Sequence, residues 1–496
     1  MNAAARKGNL HAAPPAELPP TLATLLMLVT MLALPSLPAH AQAPLRDADE
    51  VAAGYVATAL TSNIALQTRE LEVERAQEAL RAARARFLPE LAVSARYTRS
   101  DGGRTIDVPL GTLLNPVYQT LNEQLVAQGE QPRFAPIQDS SITFQREREQ
   151  DTRLTLRQPL YQPAIPAATR AQRELLRGAA ASRSVLERQL RRDVTTAYLN
   201  WLMALRARTV LEGTREVLEE NLRVNDSLLR NGRVTEDQVL RARTEQLAVQ
   251  QQLRESTSAI DQARNYVNFL LNRPLDTPLE DARIPAFEGA ADAIGGANAA
   301  NQSTRQLLLE AQQRPELEQA AAQVAAARAQ EKVARAALGP SVALAVDAGT
   351  QGESYRFGGG NNFSSASLVL SWKFFDGGAN SAERQRARIA ARQAKLQQDA
   401  IAQQVELEVR QALDRLAEST DSLTVAEARA EAARSALFIA TRKRDAGAIS
   451  QVEFLDARNA ATSADLALNV TRFQLLQRRV ELEFAAGDGA SNPPTP

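Results

Sequence analysis

The chain of 496 residues contains no cysteine. Disulfides, thiolate catalysis and a lipid-bearing cysteine are therefore excluded from its chemistry. Its two histidines, His11 and His40, both lie within the first 41 residues. The remainder offers no imidazole for a general base, a catalytic triad or the commonest kind of metal ligation. Formal charge is zero, with 58 basic and 58 acidic residues, so the electrostatic footprint of a nucleic-acid binder is missing. No segment approaches eighteen consecutive apolar residues, so no helix of ordinary hydropathy crosses a membrane. An enzyme working with carboxylates alone stays open, but no motif asks for one. No catalytic residue, metal ligand set or cofactor is expected.

What is present begins with a leader. Residues 1–41 read as a secretory signal: Arg6 and Lys7 in a long basic region, an apolar core over residues 22–34, then a cleavable Ala39-His40-Ala41. The core is too short for a permanent span. Export is expected, by a cleavable signal and without a lipid anchor.

The rest of the chain says the same thing twice. LTLRQPLYQP (154–163) opens a helical run of about 67 residues that breaks at RNGRVTED (230–237) and resumes. LVLSWKFFDGG (368–378) opens a second run, which breaks at RDAGAISQ (444–451) and resumes until Gly487. Tyr161 to Gly232 is 71 positions and Phe375 to Gly447 is 72, so two copies of one unit are expected. Upstream, RARFLPELAVSARYT around Pro89 matches RAALGPSVALAVDAG around Pro340, each a helix turning into a strand. The first copy carries a longer connection, about 100–148, which reads as a large loop. The expected boundaries are 42–272 for the first repeat, 273–313 for an irregular linker, 314–487 for the second repeat and 488–496 for a disordered tail.

Four strand candidates alternate. Leu91, Val93, Ala95 and Tyr97 share one face; so do Thr152, Leu154 and Leu156, then Val342, Leu344 and Val346, then Ala366, Leu368, Leu370, Trp372 and Phe374. An ordinary half-buried antiparallel sheet satisfies alternation equally well. Aromatics favour a membrane sheet: 12 of 22 fall within residues 87–161 or 355–375, several near strand ends where an interfacial girdle belongs. Four strands cannot close a barrel, so a membrane sheet requires oligomerisation, and three chains supply twelve. On the helices, Leu186, Leu190, Val194, Ala197, Trp201 and Leu205 form a narrow seam with coiled-coil spacing, continued in the other copy by Val405, Val409, Leu413 and Leu416. Gly232 and Gly447 stop the two runs after basic last turns, and Thr235 and Ser450 stand where each returning helix needs a cap.

QPLY and FFDGG ending the second strand of each copy, AYLNWLMA (197–204), the paired G-x-x-[ST] turns and FLDARN (454–459) together resemble the TolC-like outer membrane efflux proteins over essentially the mature length. The resemblance implies a mainly α fold with a transmembrane β-barrel: two repeats whose long hairpins build a trimeric α-barrel, and four strands per chain in a twelve-stranded barrel. It implies a homotrimer spanning from the cell outer membrane into the periplasm, exporting small molecules or proteins as the exit duct of a tripartite system. Its partners would be a periplasmic adaptor, an inner membrane pump and outer membrane lipid. Adaptor-contact tips would be Gly232, Arg233, Val234 and Thr235 with Gly447, Ala448, Ile449 and Ser450. The periplasmic gate would be Glu453 and Asp456, which share a helix face. The lipid-facing barrel would use Leu91, Val93, Tyr97, Leu154, Leu156, Leu368, Leu370, Trp372 and Phe374. Two departures from the family pattern are Gln238, where the first hairpin would carry an acid, and Ile449, at a position that is basic in some members. The alternative is a periplasmic adaptor, also exported and carrying coiled-coil hairpins, though usually with one hairpin and an anchor.

Overall fold

The computed structural model describes residues 45–143, 146–284, 297–354 and 360–487. The expected signal (1–41) and tail (488–496) lie outside the described residues. Two broken helices, α1 (Ala48–Ser62) and α2 (Ile64–Ala85), lead into strand β1 (Glu90–Arg99). After an insertion, β4 (Arg148–Tyr161) feeds helix α4 (Ala164–Arg230), and a tight turn returns the chain as α5 (Glu236–Leu270). The insertion holds β2 (Thr105–Val108), α3 (Leu110–Ala127) and β3 (Ser140–Thr143). The second copy repeats the order: α6 (Ala297–Ala311), α7 (Pro315–Ala336), β5 (Ser341–Gly352), β6 (Asn362–Ser371), α8 (Ala379–Asp445) and α9 (Gln451–Ala486). Helices α4 and α8 both have 67 residues, roughly 100 Å at about 1.5 Å per residue.

The breaks have local causes. Asn63 ends α1 in an extended conformation and caps α2, its side chain accepting from Leu66 N at 3.2 Å. Arg314 does the same job by backbone conformation before Pro315, which sits at the first position of α7 where its missing N–H costs nothing.

The four-stranded sheet has the order β1-β4-β5-β6, all antiparallel. Register aligns the apolar faces: Leu91 opposes Leu156, Leu156 opposes Val346, and Val346 opposes Ala366. Arg153 and Asp347 fall on the other face, where Thr155 Oγ1 donates to Asp347 Oδ1 at 2.6 Å. The ladder ends with Ser341 opposite Ser371, because Pro340 has no N–H to continue it. Trp372 and Phe374 therefore lie beyond the strand, on the connection to α8, and correct the expectation that they belong to the alternating face.

Two segments expected to be irregular contain regular elements. The insertion between β1 and β4 contains an antiparallel pair of short strands and, between them, an 18-residue helix. Within the expected linker, Ala297–Ala311 is helical, and its Leu307, Leu308 and Ala311 pack with Val405 and Val409 of α8. Apolar partners elsewhere in the fold, not local signals, stabilise that helix.

The main core follows the expected seam. Leu190, Val194, Ala197, Tyr198, Trp201 and Leu202 of α4 are buried together with Val51, Val56, Leu66, Val267 and Phe473. Tyr198 meets Tyr55 edge-on at 5.2 Å between ring centroids, and its hydroxyl donates to Glu280 O at 2.8 Å. Burial pushes its phenol pKa well above the ordinary range, aided by the nearby Tyr55 and Asp281. Nearby, the guanidinium groups of Arg188, Arg192 and Arg314 lie 4.9, 4.3 and 5.5 Å from the Phe484 ring centroid. Arg188 donates to Phe484 O and Arg314 to Ala485 O, so cations close the C-terminal end of α9.

Candidate functional site

At the two hairpin turns, Gly232 has φ 66° and Gly447 has φ 70°. Nothing would crowd a Cβ at either position, so glycine is required by the left-handed backbone rather than by space. Both turns make the same pair of bonds: Gly232 N to Leu229 O and Arg233 N to Leu228 O, then Gly447 N to Arg444 O and Ala448 N to Lys443 O. That is the Schellman arrangement, which satisfies carbonyls at a helix end.

The caps differ between copies. Ser450 accepts from Glu453 N at 3.3 Å while the Glu453 carboxylate accepts from Ser450 N at 3.2 Å, a reciprocal capping box. Thr235 makes no such cap, contrary to expectation; its hydroxyl donates to Asp237 instead. Ile449, directly before the cap, packs with Phe454 four residues beyond it, alongside Leu218, Val249 and Leu455. This is a hydrophobic staple, and it gives Ile449 a packing role. Val234 holds the equivalent place and is likewise half-buried, while Gly232, Arg233, Thr235, Gly447, Ala448 and Ser450 are exposed. Glu453 and Asp456 are both exposed, one turn apart, at the start of α9.

Sequence reasoning did not find the seam between the hairpins. Gln451 Nε2 donates to Asn221 Oδ1 at 2.6 Å, Asn459 to Glu245 at 3.2 Å, and the Thr214 and Thr462 hydroxyls meet at 3.1 Å. Arg458 donates to Gly213 O at 3.1 Å; burial lowers its pKa, partly offset by Asp465. Higher up, Asn469 donates to Met203 O and Gln477 to Asn200. The signal was there in polar residues at helical spacing on α9, but the partner surface had to be known.

The sheet and the helices end at matching edges. In the sheet, β1 and β6 are outermost, each paired on one side only. Below it, α2 packs on α4, α4 on α7 and α7 on α8, so the outer helices are α2, which leads into β1, and α8, which follows β6. The outer helices carry exposed apolar side chains, among them Leu71 on α2 and Leu396, Val425 and Phe438 on α8. Exposed Leu91, Val93, Tyr97, Leu154, Leu368 and Leu370 and half-buried Leu156 lie on one sheet face; Trp372 and Phe374 are exposed beside it.

An open sheet continuous with an open layer of long helices is the architecture of an outer membrane channel-tunnel. The outer membrane efflux protein family matches residues 56–273 and 307–488, and the chain belongs to that family. Its members are trimeric exit ducts in the outer membrane, and the adaptor alternative is not favoured. Among solved structures, the chain is similar to the Campylobacter jejuni CmeC outer membrane channel, at 18% identity and a TM-score of 0.72 over 89% of this chain and 87% of that one. It is also similar to VceC from Vibrio cholerae, at 17% and 0.70 over 88% and 96%. The open state of the Neisseria gonorrhoeae MtrE channel follows, at 19% and 0.67 over 88% and 89%. No curated protein matches the chain.

Proposed function

We propose that three copies of this chain close into a continuous duct that carries small molecules or proteins from the periplasm out of the cell, driven by a partner pump. The observation that carries the reading is the coincidence of edges: β6 and α8 end one side of the chain, β1 and α2 the other. Unpaired strand edges in a membrane are costly, so β6 of one copy pairs with β1 of the next. In this arrangement Leu91, Val93, Leu154, Leu156, Leu368 and Leu370 face lipid, while Tyr97, Trp372 and Phe374 anchor at its interfaces. The repeats at 42–272 and 314–487 each contribute two strands and one long helical hairpin, after a cleaved signal and without a lipid anchor.

The hairpin tips, 232–235 and 447–450, serve as the contact for a periplasmic adaptor linked to an inner membrane pump. Glu453 and Asp456 of three copies form a carboxylate ring at the entrance, where a narrow, partly desolvated site holds cations. The test is conductance in planar bilayers. Glu453→Gln with Asp456→Asn should lower cation preference and weaken block by a trivalent cation, while trimers still form because Gln also completes a capping box. Unchanged selectivity and block would place both acids outside the pore.

A further inference from the structure

The insertion between β1 and β4 is a built element. Helix α3 is clasped by the irregular segment that follows it. Asn115 exchanges two hydrogen bonds with the Ile137 backbone, both 2.8 Å. Asn122 donates to Phe134 O at 2.7 Å and accepts from Arg133 N and Phe134 N at 3.1 Å. Asp139 caps the helix start through Thr112 N at 2.9 Å and Thr112 Oγ1 at 2.7 Å. At Gly111 a Cβ would lie 2.3 Å from Ile137 O, so the clasp needs glycine there. Tyr118 and Phe134 pack with centroids 5.2 Å apart. Positions 111, 115, 118 and 122 thus define one face of α3, fully engaged.

An adjoining face is apolar and uncovered. Leu110, Leu113, Leu114, Val117 and Leu121 follow the i, i+3, i+4, i+7 and i+11 pattern of a helix-packing seam. Leu113 is 65% and Val117 53% exposed. The one charged residue of α3, Glu123, lies off that face, and the helix has no Lys or Arg. Helices that rest on anionic membrane surfaces carry basic residues on their polar side, so a lipid surface is a poor match. A chargeless seam can instead meet copies of itself without repulsion.

Placement supplies the occupant. Helices α2 and α4 join β1 and β4 at Glu90 and Tyr161, so the insertion springs from the far end of the sheet, between Arg99 and Arg148. It rises from β1, the edge to which the next copy adds. We propose that the apolar face of α3 packs against the insertions of the adjacent copies, so that three α3 helices meet at the external mouth. This rests on the trimeric reading above.

The absence of cysteine makes the test direct. Val117→Cys and Glu123→Cys are introduced singly into the full chain, and the oxidised protein is analysed from outer membranes. Val117→Cys should give an inter-chain disulfide that Glu123→Cys does not, and should react several-fold more slowly with an impermeant maleimide on intact cells. Two outcomes overturn the proposal while trimers persist: equal labelling of both variants without a disulfide, or a protected position 117 whose attached nitroxide is relaxed by a lipid-soluble agent. Absence of trimers in the unmodified protein sinks the underlying reading instead.

Discussion

Helices α4 and α8 occupy the same place in the two repeats and have the same length, 67 residues, yet 18 residues of α4 are buried and only six of α8. The difference is one of neighbours. Besides α1, α4 lies between α2 and α7 along its upper half and contacts α5 and α9 along its lower half, whereas α8 has α7, α9 and the short α6. Helix α8 accordingly leaves Leu396, Val425, Phe438 and Ile439 exposed. The same plan thus yields one helix that is enclosed within the chain and one that lies at its edge.

The largest effect should separate the two helices. Leu202→Ala in α4, where the side chain is fully buried, should cost about 2–5 kcal/mol, read as a lowered thermal unfolding midpoint by circular dichroism. Leu396→Asp in α8, 70% exposed in the single chain, should leave monomer folding intact but reduce heat-resistant trimers on gels. If neither folding nor assembly responds to Leu396→Asp, the open side of α8 faces water and the contrast with α4 has another cause.

A smaller effect sharpens the comparison at the tips. Ser450→Ala removes half of a capping box and should cost about 1 kcal/mol, visible as faster amide exchange in the first turn of α9. Thr235→Ala should have little effect on α5, because that hydroxyl is bonded to Asp237 rather than to a helix N–H. Equal responses would show that the copies are capped alike in solution.

The smallest effect concerns a charged cluster that links the two helices. Arg188 of α4 bonds Glu316 at 3.0 Å, and Arg314 bonds both Glu316 at 3.0 Å and Glu408 of α8 at 2.8 Å. Burial alone would raise the Glu316 pKa, but the hydrogen bond from Arg314 and the charges of Arg314 and Arg188 hold it below its ordinary value of 4.5. A depressed carboxylate contributes stability that is complete above the unfolded value and is lost as pH falls through the folded one. The thermal midpoint should therefore be insensitive to this cluster above pH 4.5 and decline below it. Glu316→Gln should be less stable at neutral pH and show a weaker acid decline; an identical decline would assign the acid sensitivity to other carboxylates.

Much of the fold was legible because its causes are local. Long stretches of Ala, Arg, Gln, Glu and Leu without breakers make rods, Gly232 and Gly447 are needed where φ turns positive, and period-two alternation marks the strand faces. Other features depend on distant partners. T-x-x-Q at Thr235 and S-x-x-E at Ser450 look equivalent, yet Asp237 captures the first hydroxyl and leaves the box unformed. Helix α3 was hidden because its stabilising contacts come from a segment some twenty residues downstream, as with Asn115 and Ile137. Glu453 and Asp456 are proposed as gate acids by likeness to a family, while the capping role of Glu453 emerged only from its geometry.

The sequence by itself determined that the chain is built twice over from strands and long hairpins, with no chemistry of cysteine or, past residue 41, histidine. Only the tertiary structure decided which copies of those elements lie inside and which at the edge. Backbone pairing placed β4 and β5 in the middle of the sheet, and packing placed α4 and α7 in the middle of the helices. Period and propensity are set by neighbours along the chain; an edge is defined by what lies beside it, and strand hydrogen bonds and helix contacts across long sequence separations settle that.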